Sequence, residues 1–228
     1  MILFGRAEEE MYLQTLVVLF MCVHIISIAE GNLNSTSISQ VQRRRLQRPK
    51  PRATLDSFLT KAGISMNNML DIGANKGDFT RTMLKIFPTL NSIMIEGNKE
   101  HMINWQDIKR GKGYIGILSS KSEEKTWYRN VDEPSTGDSL YRETSTFGSK
   151  MTGIVVNTFS LDDFITKNGI TTKFDFIKID VQGAELEILH GGKETLKNVK
   201  AILLELPFFG VYNEGSPDFV EYISYMKD

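Results

Sequence analysis

Cysteine is nearly absent from this chain: Cys22 is the only one in 228 residues, so no intrachain disulfide and no cysteine-rich zinc site can form. Histidine is almost as scarce. His24, His101 and His190 are scattered without metal-ligand spacing, and no structural metal is expected. An excess of one charge sign is also lacking, since 27 basic and 28 acidic side chains leave a net charge of −1. That balance conceals an asymmetry, because residues 41–52 (VQRRRLQRPKPR) hold six basic side chains and no acidic one. No aromatic residue is interleaved there as a platform for bases, so no nucleic-acid partner is expected. The length suits one globular domain with a tail.

Charge is missing altogether from Met11 to Ala29 (MYLQTLVVLFMCVHIISIA), a run of 19 residues, long enough to cross a bilayer and slightly long for a signal-peptide core. Residues 1–30 are therefore expected to be a signal peptide or membrane anchor, bringing the chain to a membrane or into the secretory pathway. A buried core helix is the alternative. Ser27 and Ala29 fit a cleavage site, whereas Glu8, Glu9 and Glu10 before the run and the arginines after it favour a cytosolic C-terminal side. Orientation stays open. Residues 31–53, polar and punctuated by Pro49 and Pro51, read as a basic flexible linker.

From residue 54 onward short apolar runs alternate with helical stretches, the signature of repeated β-α units and a mainly parallel sheet with helices on both faces. Strands are expected at NMLDI (68–72), SIMIE (92–96), YIGIL (114–118), FDFIKID (174–180) and AILLEL (201–206). Asp78 is placed to cap a helix that Pro88 ends. Ser160-Leu161-Asp162-Asp163 resembles a capping box, and Pro217 opens the last helix. Ser119 to Gly153 fits no helix and is expected to leave the sheet as an excursion: a hairpin, a lid or substrate loop, or a disordered insertion.

The stretch Asp71-Ile72-Gly73-Ala74-Asn75-Lys76-Gly77-Asp78 follows a strand and opens a helix, so its glycines lie where backbone turns sharply and a ligand approaches closely. Glu96 ends the next strand, where a carboxylate can accept hydrogen bonds from ribose hydroxyls. Asp71, Glu96, Asp180 and Glu205 all fall at the carboxyl ends of strands, the rim on which open parallel sheets bind ligands. Four buried acids without partners would each cost several kcal/mol, so they must meet solvent, ligand or cation. Asn75 occupies the middle glycine position of a dinucleotide fingerprint and Asp71 precedes it, which repels pyrophosphate and suits a cationic ligand.

DIGANKGDFT, MIEGN, TFSLDDF, FDFIKIDVQGAELEILHGG and LLEL, taken in order, resemble the successive motifs of the FkbM methyltransferase family over residues 54–228. The resemblance implies a Rossmann-like class I methyltransferase fold, α/β, with strand order 3-2-1-4-5 and further strands following. No counterpart of those later strands is found before Asp228, so a domain truncated at its C-terminus is expected. The cofactor implied is S-adenosylmethionine, whose ammonium and sulfonium are both cationic. By the same likeness Asp71, Gly73, Asn75 and Gly77 would hold its methionine portion, Glu96 its ribose, and Ser119 would lie near adenine. Asp180, with Gln182 and Glu185 beyond it, would face the methyl group and a small-molecule or glycan acceptor, Asp180 serving as orienting group or base. Many relatives carry glutamate where Gln182 stands, which keeps open a second reading: a catalytically idle, membrane-tethered binding module.

Overall fold

The computed structural model describes residues 3–4, 16–21, 55–130, 137–144, 151–207 and 213–227. It divides into two units, Met1–Cys22 with Met66–Asp228, and Val23–Ser65. In the second unit the described part is one short helix, α1 (Leu55–Lys61), closed by Gly63 in the left-handed region. The expected linker, residues 31–53, lies outside the described residues.

The first unit is built on a seven-stranded sheet. Its strands are β1 (Leu3–Phe4), β2 (Leu16–Met21), β3 (Asn68–Ile72), β4 (Asn91–Glu96), β5 (Gly111–Ile115), β9 (Phe176–Ile179) and β10 (Ala201–Leu206), in the order β1-β2-β10-β9-β3-β4-β5. The five from β5 to β10 are all parallel and realise the expected 3-2-1-4-5 arrangement. Side chains alternate between the two faces. Leu70, Ile72, Ile93, Ile95, Ile177 and Ile179 fill one face, under α3 (Leu161–Lys167), α4 (Glu185–Gly191) and α6 (Phe219–Tyr225). On the other face Phe79 of α2 (Asp78–Ile86) stacks on Phe176, with ring centroids 6.3 Å apart. A 3₁₀ helix (Lys99–Trp105) follows β4, and the short helix α5 (Lys193–Leu196) precedes β10.

Local expectations are corrected at several points. The YIGIL strand breaks at Gly116, and β6 (Ile117–Ser119) joins a second sheet with β7 (Glu124–Asn130) and β8 (Met151–Ser160), in the order β6-β8-β7. A Cβ at Gly116 would lie 2.2 Å from the Phe164 ring, so the bend depends on glycine. Asp78 is not the cap of α2: Gly77, with φ 84°, occupies that position and Asp78 begins the helix. Pro88 does end it, since Phe87 leaves helical geometry as residues before proline do. Ser160 caps α3 by accepting from the Asp163 amide, but the Asp163 carboxylate accepts from Ser122 instead of completing the box. The full capping box belongs to α6, where Asp218 and Glu221 bond reciprocally one residue beyond Pro217. The excursion is a hairpin, as read from the sequence, with β7 (Glu124–Asn130) antiparallel to β8 (Met151–Ser160).

The largest departure is at the N-terminus. Leu16–Met21, from the middle of the uncharged run, is a strand that pairs in parallel with β10 along its length, and β1 pairs antiparallel beyond it. Strands from the N-terminus thus lie where strands after β10 were expected. The physical reason is an edge: β10 would otherwise present a row of unpaired backbone groups, and the apolar run LVVLFM is a ready strand former. Among the described residues no helix is long and apolar enough to cross a membrane. The remainder of the run, residues 11–15 and 22–29, lies outside the described residues.

Candidate functional site

Parallel register gathers the predicted residues on one rim. Asp71 of β3 lies directly opposite Lys178 of β9, and one step beyond the last paired residues the chain brings Gly73, Asp180 and Glu205 into line on the same face. A Cβ on Gly73 would come 1.8 Å from the Asp180 carbonyl oxygen, so only glycine lets these two strand ends approach. The turn then passes through three left-handed residues, Gly73 (φ 74°), Asn75 (φ 46°) and Gly77 (φ 84°). Trp105 lies beneath it, donating from its indole to the Asn75 carbonyl at 2.8 Å.

Every amide from Gly73 to Gly77 is already committed. Gly73 and Ala74 donate to the Ile95 carbonyl, Asn75 to the Glu96 carboxylate, Lys76 to the Asn75 side chain and Gly77 to the Ala74 carbonyl. A phosphate-binding turn needs such amides free. This turn offers none of the five, which argues against dinucleotide binding more directly than Asn75 did in the sequence.

Carboxylates dominate the surroundings. Glu96 accepts from the Asn75 amide at 2.8 Å and from the Asn98 amide at 2.9 Å, so both oxygens are fixed while each keeps lone-pair capacity for a hydroxyl. Asp71 is 0 % exposed; one oxygen accepts from Thr80 at 2.7 Å, and the other, without a well-aligned hydrogen bond, lies 3.3 Å from the Lys178 ammonium. Lys178, 7 % exposed, also donates to the Gly73 carbonyl at 2.8 Å and lies 3.2 Å from Asp180. Burial works to lower the Lys178 pKa, but Asp71 and Asp180 outweigh it and hold it above the ordinary value. The Asp180 side chain is 37 % exposed at the mouth. Burial pushes its pKa up, and Lys178, with hydrogen bonds from Glu205 and Gln182, brings it below the usual carboxylate range.

Gln182 adopts a left-handed conformation, φ 60°, uncommon for a residue with a Cβ. Its carbonyl accepts from Ser139 and Asn213, and its side-chain amide donates to Asp180 at 3.0 Å and to Glu205 at 2.6 Å. Glu185, expected from the sequence to face the methyl group and acceptor, is 1 % exposed and turned inward. Its carboxylate accepts from the Val181 and Gly183 amides and from the Tyr222 hydroxyl, holding the turn that carries Gln182. Burial raises its pKa against those three donors.

Ser119, expected near adenine, has a protein partner for its hydroxyl. It is buried at the end of β6 and donates to Glu187, which also accepts from Lys125 and Tyr141. That cluster ties the hairpin to α4. The segment around Ser139 crosses the rim as well, since Asp138 accepts from Asn98 at 3.2 Å and Ser139 donates to the Gln182 carbonyl at 2.7 Å. Sequence reasoning missed Glu187 and Tyr222 and the inward role of Glu185, because the partners of these side chains are distant in the chain. No group of three or more His, Cys, Asp or Glu among the described residues is arranged to hold a metal.

A rim of carboxylates around a glycine turn without free amides fits a cationic ligand carrying a ribose, and comparison with known proteins points the same way. The family model for the methyltransferase FkbM domain matches residues 71–228. The 2-O-methyltransferase NoeI of Sinorhizobium fredii (strain NBRC 101917 / NGR234) is 26 % identical over 220 residues, covering 87 % of this chain and 82 % of that protein. No solved structure matches the chain. With its domain matched from the first acid of the glycine turn onward, the chain belongs to the FkbM methyltransferase family and is a methyltransferase.

Proposed function

We propose that this protein transfers a methyl group from S-adenosylmethionine to a hydroxyl on a sugar, glycan or small metabolite, with Asp180 receiving the hydroxyl proton. The observation that carries the reading is the charge at the rim: Asp71 and Asp180 flank one ammonium, Lys178, Glu205 is joined to Asp180 through Gln182, and Glu96 stands beside the turn. Such a surplus favours a cation and hydrogen-bond donors. When bound, S-adenosylmethionine supplies a sulfonium-activated methyl that an acceptor oxygen takes as the carbon–sulfur bond breaks, its electron pair remaining on sulfur.

The residues would divide the work. Glu96, its oxygens fixed by two amides, is placed for ribose hydroxyls, as the likeness to the family implied. Gly73, Asn75 and Gly77 shape the turn against the methionine portion. Asp71, enclosed by Thr80 and Lys178, acts by holding Lys178, which in turn holds the Gly73 carbonyl. Ser119 acts at one remove, by fixing Glu187 on the nucleoside side of the rim. Asp180 reaches solvent and is kept anionic, as a proton acceptor must be before it works. A carboxylate held so low is a weak base, so most of the rate would come from orienting the acceptor oxygen for in-line attack.

Asp180→Asn is the test. Methyl transfer, followed with labelled cofactor, is expected to fall by about 10²–10⁴-fold while cofactor affinity stays within a few-fold of the wild type. Unchanged turnover would remove Asp180 from the mechanism. A catalytically idle binding module, the second reading of the sequence, requires instead that the cofactor produce no heat on titration.

A further inference from the structure

Between β7 and β8 the segment 137–144 runs along the rim, and two of its consecutive residues reach the strand ends on either side of β3. Asp138 accepts from Asn98 Nδ2 at 3.2 Å, just beyond β4, and Ser139 donates to the Gln182 carbonyl at 2.7 Å, just beyond β9. Ser139 is 2 % exposed and held on every side. Its amide and carbonyl both pair with Tyr128 of β7, at 3.0 and 2.8 Å, and its hydroxyl accepts from the Tyr141 amide at 3.0 Å. Asn213, the second donor to the Gln182 carbonyl, is itself bridged to Glu143 of the same segment. Both lone pairs of that carbonyl are thus filled by the segment and by a residue paired with it.

What Ser139 holds is a strained residue. Gln182 has φ 60°, and a left-handed residue with a Cβ persists only where its surroundings over-determine it. The turn alone does not call for a side chain there, since a glycine at 182 would make the same bend without strain. The conformation serves the side chain. Its amide donates to Asp180 Oδ1 at 3.0 Å, while the Lys178 ammonium lies 3.2 Å from Asp180 Oδ2, so the two oxygens are gripped by different partners and the carboxylate plane is fixed. Glu205 accepts from the same Gln182 amide and adds a hydrogen bond to Asp180. If the Gln182 backbone relaxed to an ordinary conformation, Oδ1 would lose its amide and the carboxylate would be free to rotate.

We propose that Ser139 is a positioning residue for methyl transfer: by holding the Gln182 carbonyl it keeps Gln182 left-handed, and the Gln182 amide in turn aims Asp180 at the acceptor hydroxyl. The inference rests on the methyl-transfer reading and adds to it a residue that acts through Gln182.

The test uses the full chain, labelled S-adenosylmethionine and a panel of methyl hexopyranosides as acceptors. Cofactor titration comes first: no heat from the wild type sinks the methyl-transfer reading and this proposal with it, whereas the results that follow, read on a protein that binds the cofactor, concern Ser139 alone. Rates are taken at saturating cofactor and acceptor, so that kcat is read apart from either affinity. Ser139→Ala should lower kcat by about 10–100-fold, and Ser139→Cys, similar in size but a weak donor, by nearly as much. Gln182→Gly keeps the left-handed turn and removes the amide, so it should lose a similar factor. Adding Ser139→Ala to it should then cost less than about twofold more, because both changes break one chain of contacts. NMR spectra, which need no acceptor, should show the Gln182 side-chain amide protons exchanging slowly in the wild type and quickly in Ser139→Ala. An unchanged kcat in Ser139→Ala, losses that multiply in the double variant, a Gln182 amide protected equally in variant and wild type, or loss of the native melt in both Ser139 variants would each overturn the proposal.

Discussion

Replacing Lys178 by methionine would separate its two duties. Asp71, fully buried, would lose the ammonium beside it, and a buried charge left unpaired costs about 3–5 kcal/mol. Asp180 would lose the ammonium that holds its pKa down. Because that pKa is depressed in the folded state, the stability it contributes is present above the ordinary carboxylate range and is lost as pH falls through the folded value. Urea titrations of wild type and Lys178→Met should therefore differ most near neutrality and converge below about pH 4. The acidic limb of the pH–rate profile should move to higher pH in the variant, since Asp180 would then hold its proton longer. An unmoved limb would show that Lys178 does not govern Asp180.

Two turns, each set by backbone conformation, carry the site. Gly73→Ala forces a Cβ onto the Asp180 carbonyl and is expected to cost roughly 3–5 kcal/mol and abolish cofactor binding, measurable by thermal melting with and without S-adenosylmethionine. The second turn, Val181–Gly183, hangs on Glu185 and its Tyr222 partner. Burial raises the Glu185 pKa, so its favourable contribution is fullest below the ordinary carboxylate range and declines as pH rises through the folded value. Tyr222→Phe removes a donor to the anion and should destabilise by about 1–3 kcal/mol at neutral pH and by less in acid. The first turn was legible in the sequence because glycine spacing after a strand is a local signal. The second was not: nothing near Gln182 foretells a left-handed residue, and the sequence aims Glu185 at the acceptor, since its partner Tyr222 is 37 residues away. Pairs that are local in the chain, such as Ser160 with the Asp163 amide, were found; pairs made by folding, such as Ser119 with Glu187, were not.

At the scale of the molecule the parallel core and its strand order followed from apolar runs and from family likeness, because strands buried on both faces leave strong patterns. At the N-terminus, Leu16–Met21 of the uncharged run forms a strand on β10, because an uncharged apolar stretch meets the requirements of a sheet edge as well as those of a bilayer. Deleting residues 1–22 should therefore lower the melting temperature by several degrees and increase light scattering as β10 becomes an edge; an unchanged melt would contradict the strand's place. What unites strand order, turns and residues is the proposal that this carboxylate-lined rim takes an adenosyl sulfonium, and its most direct test is calorimetric titration of the full chain with S-adenosylmethionine. Saturable heat at one site per chain, lost in Glu96→Ala, is the predicted result, and no heat from the folded wild type would contradict the account.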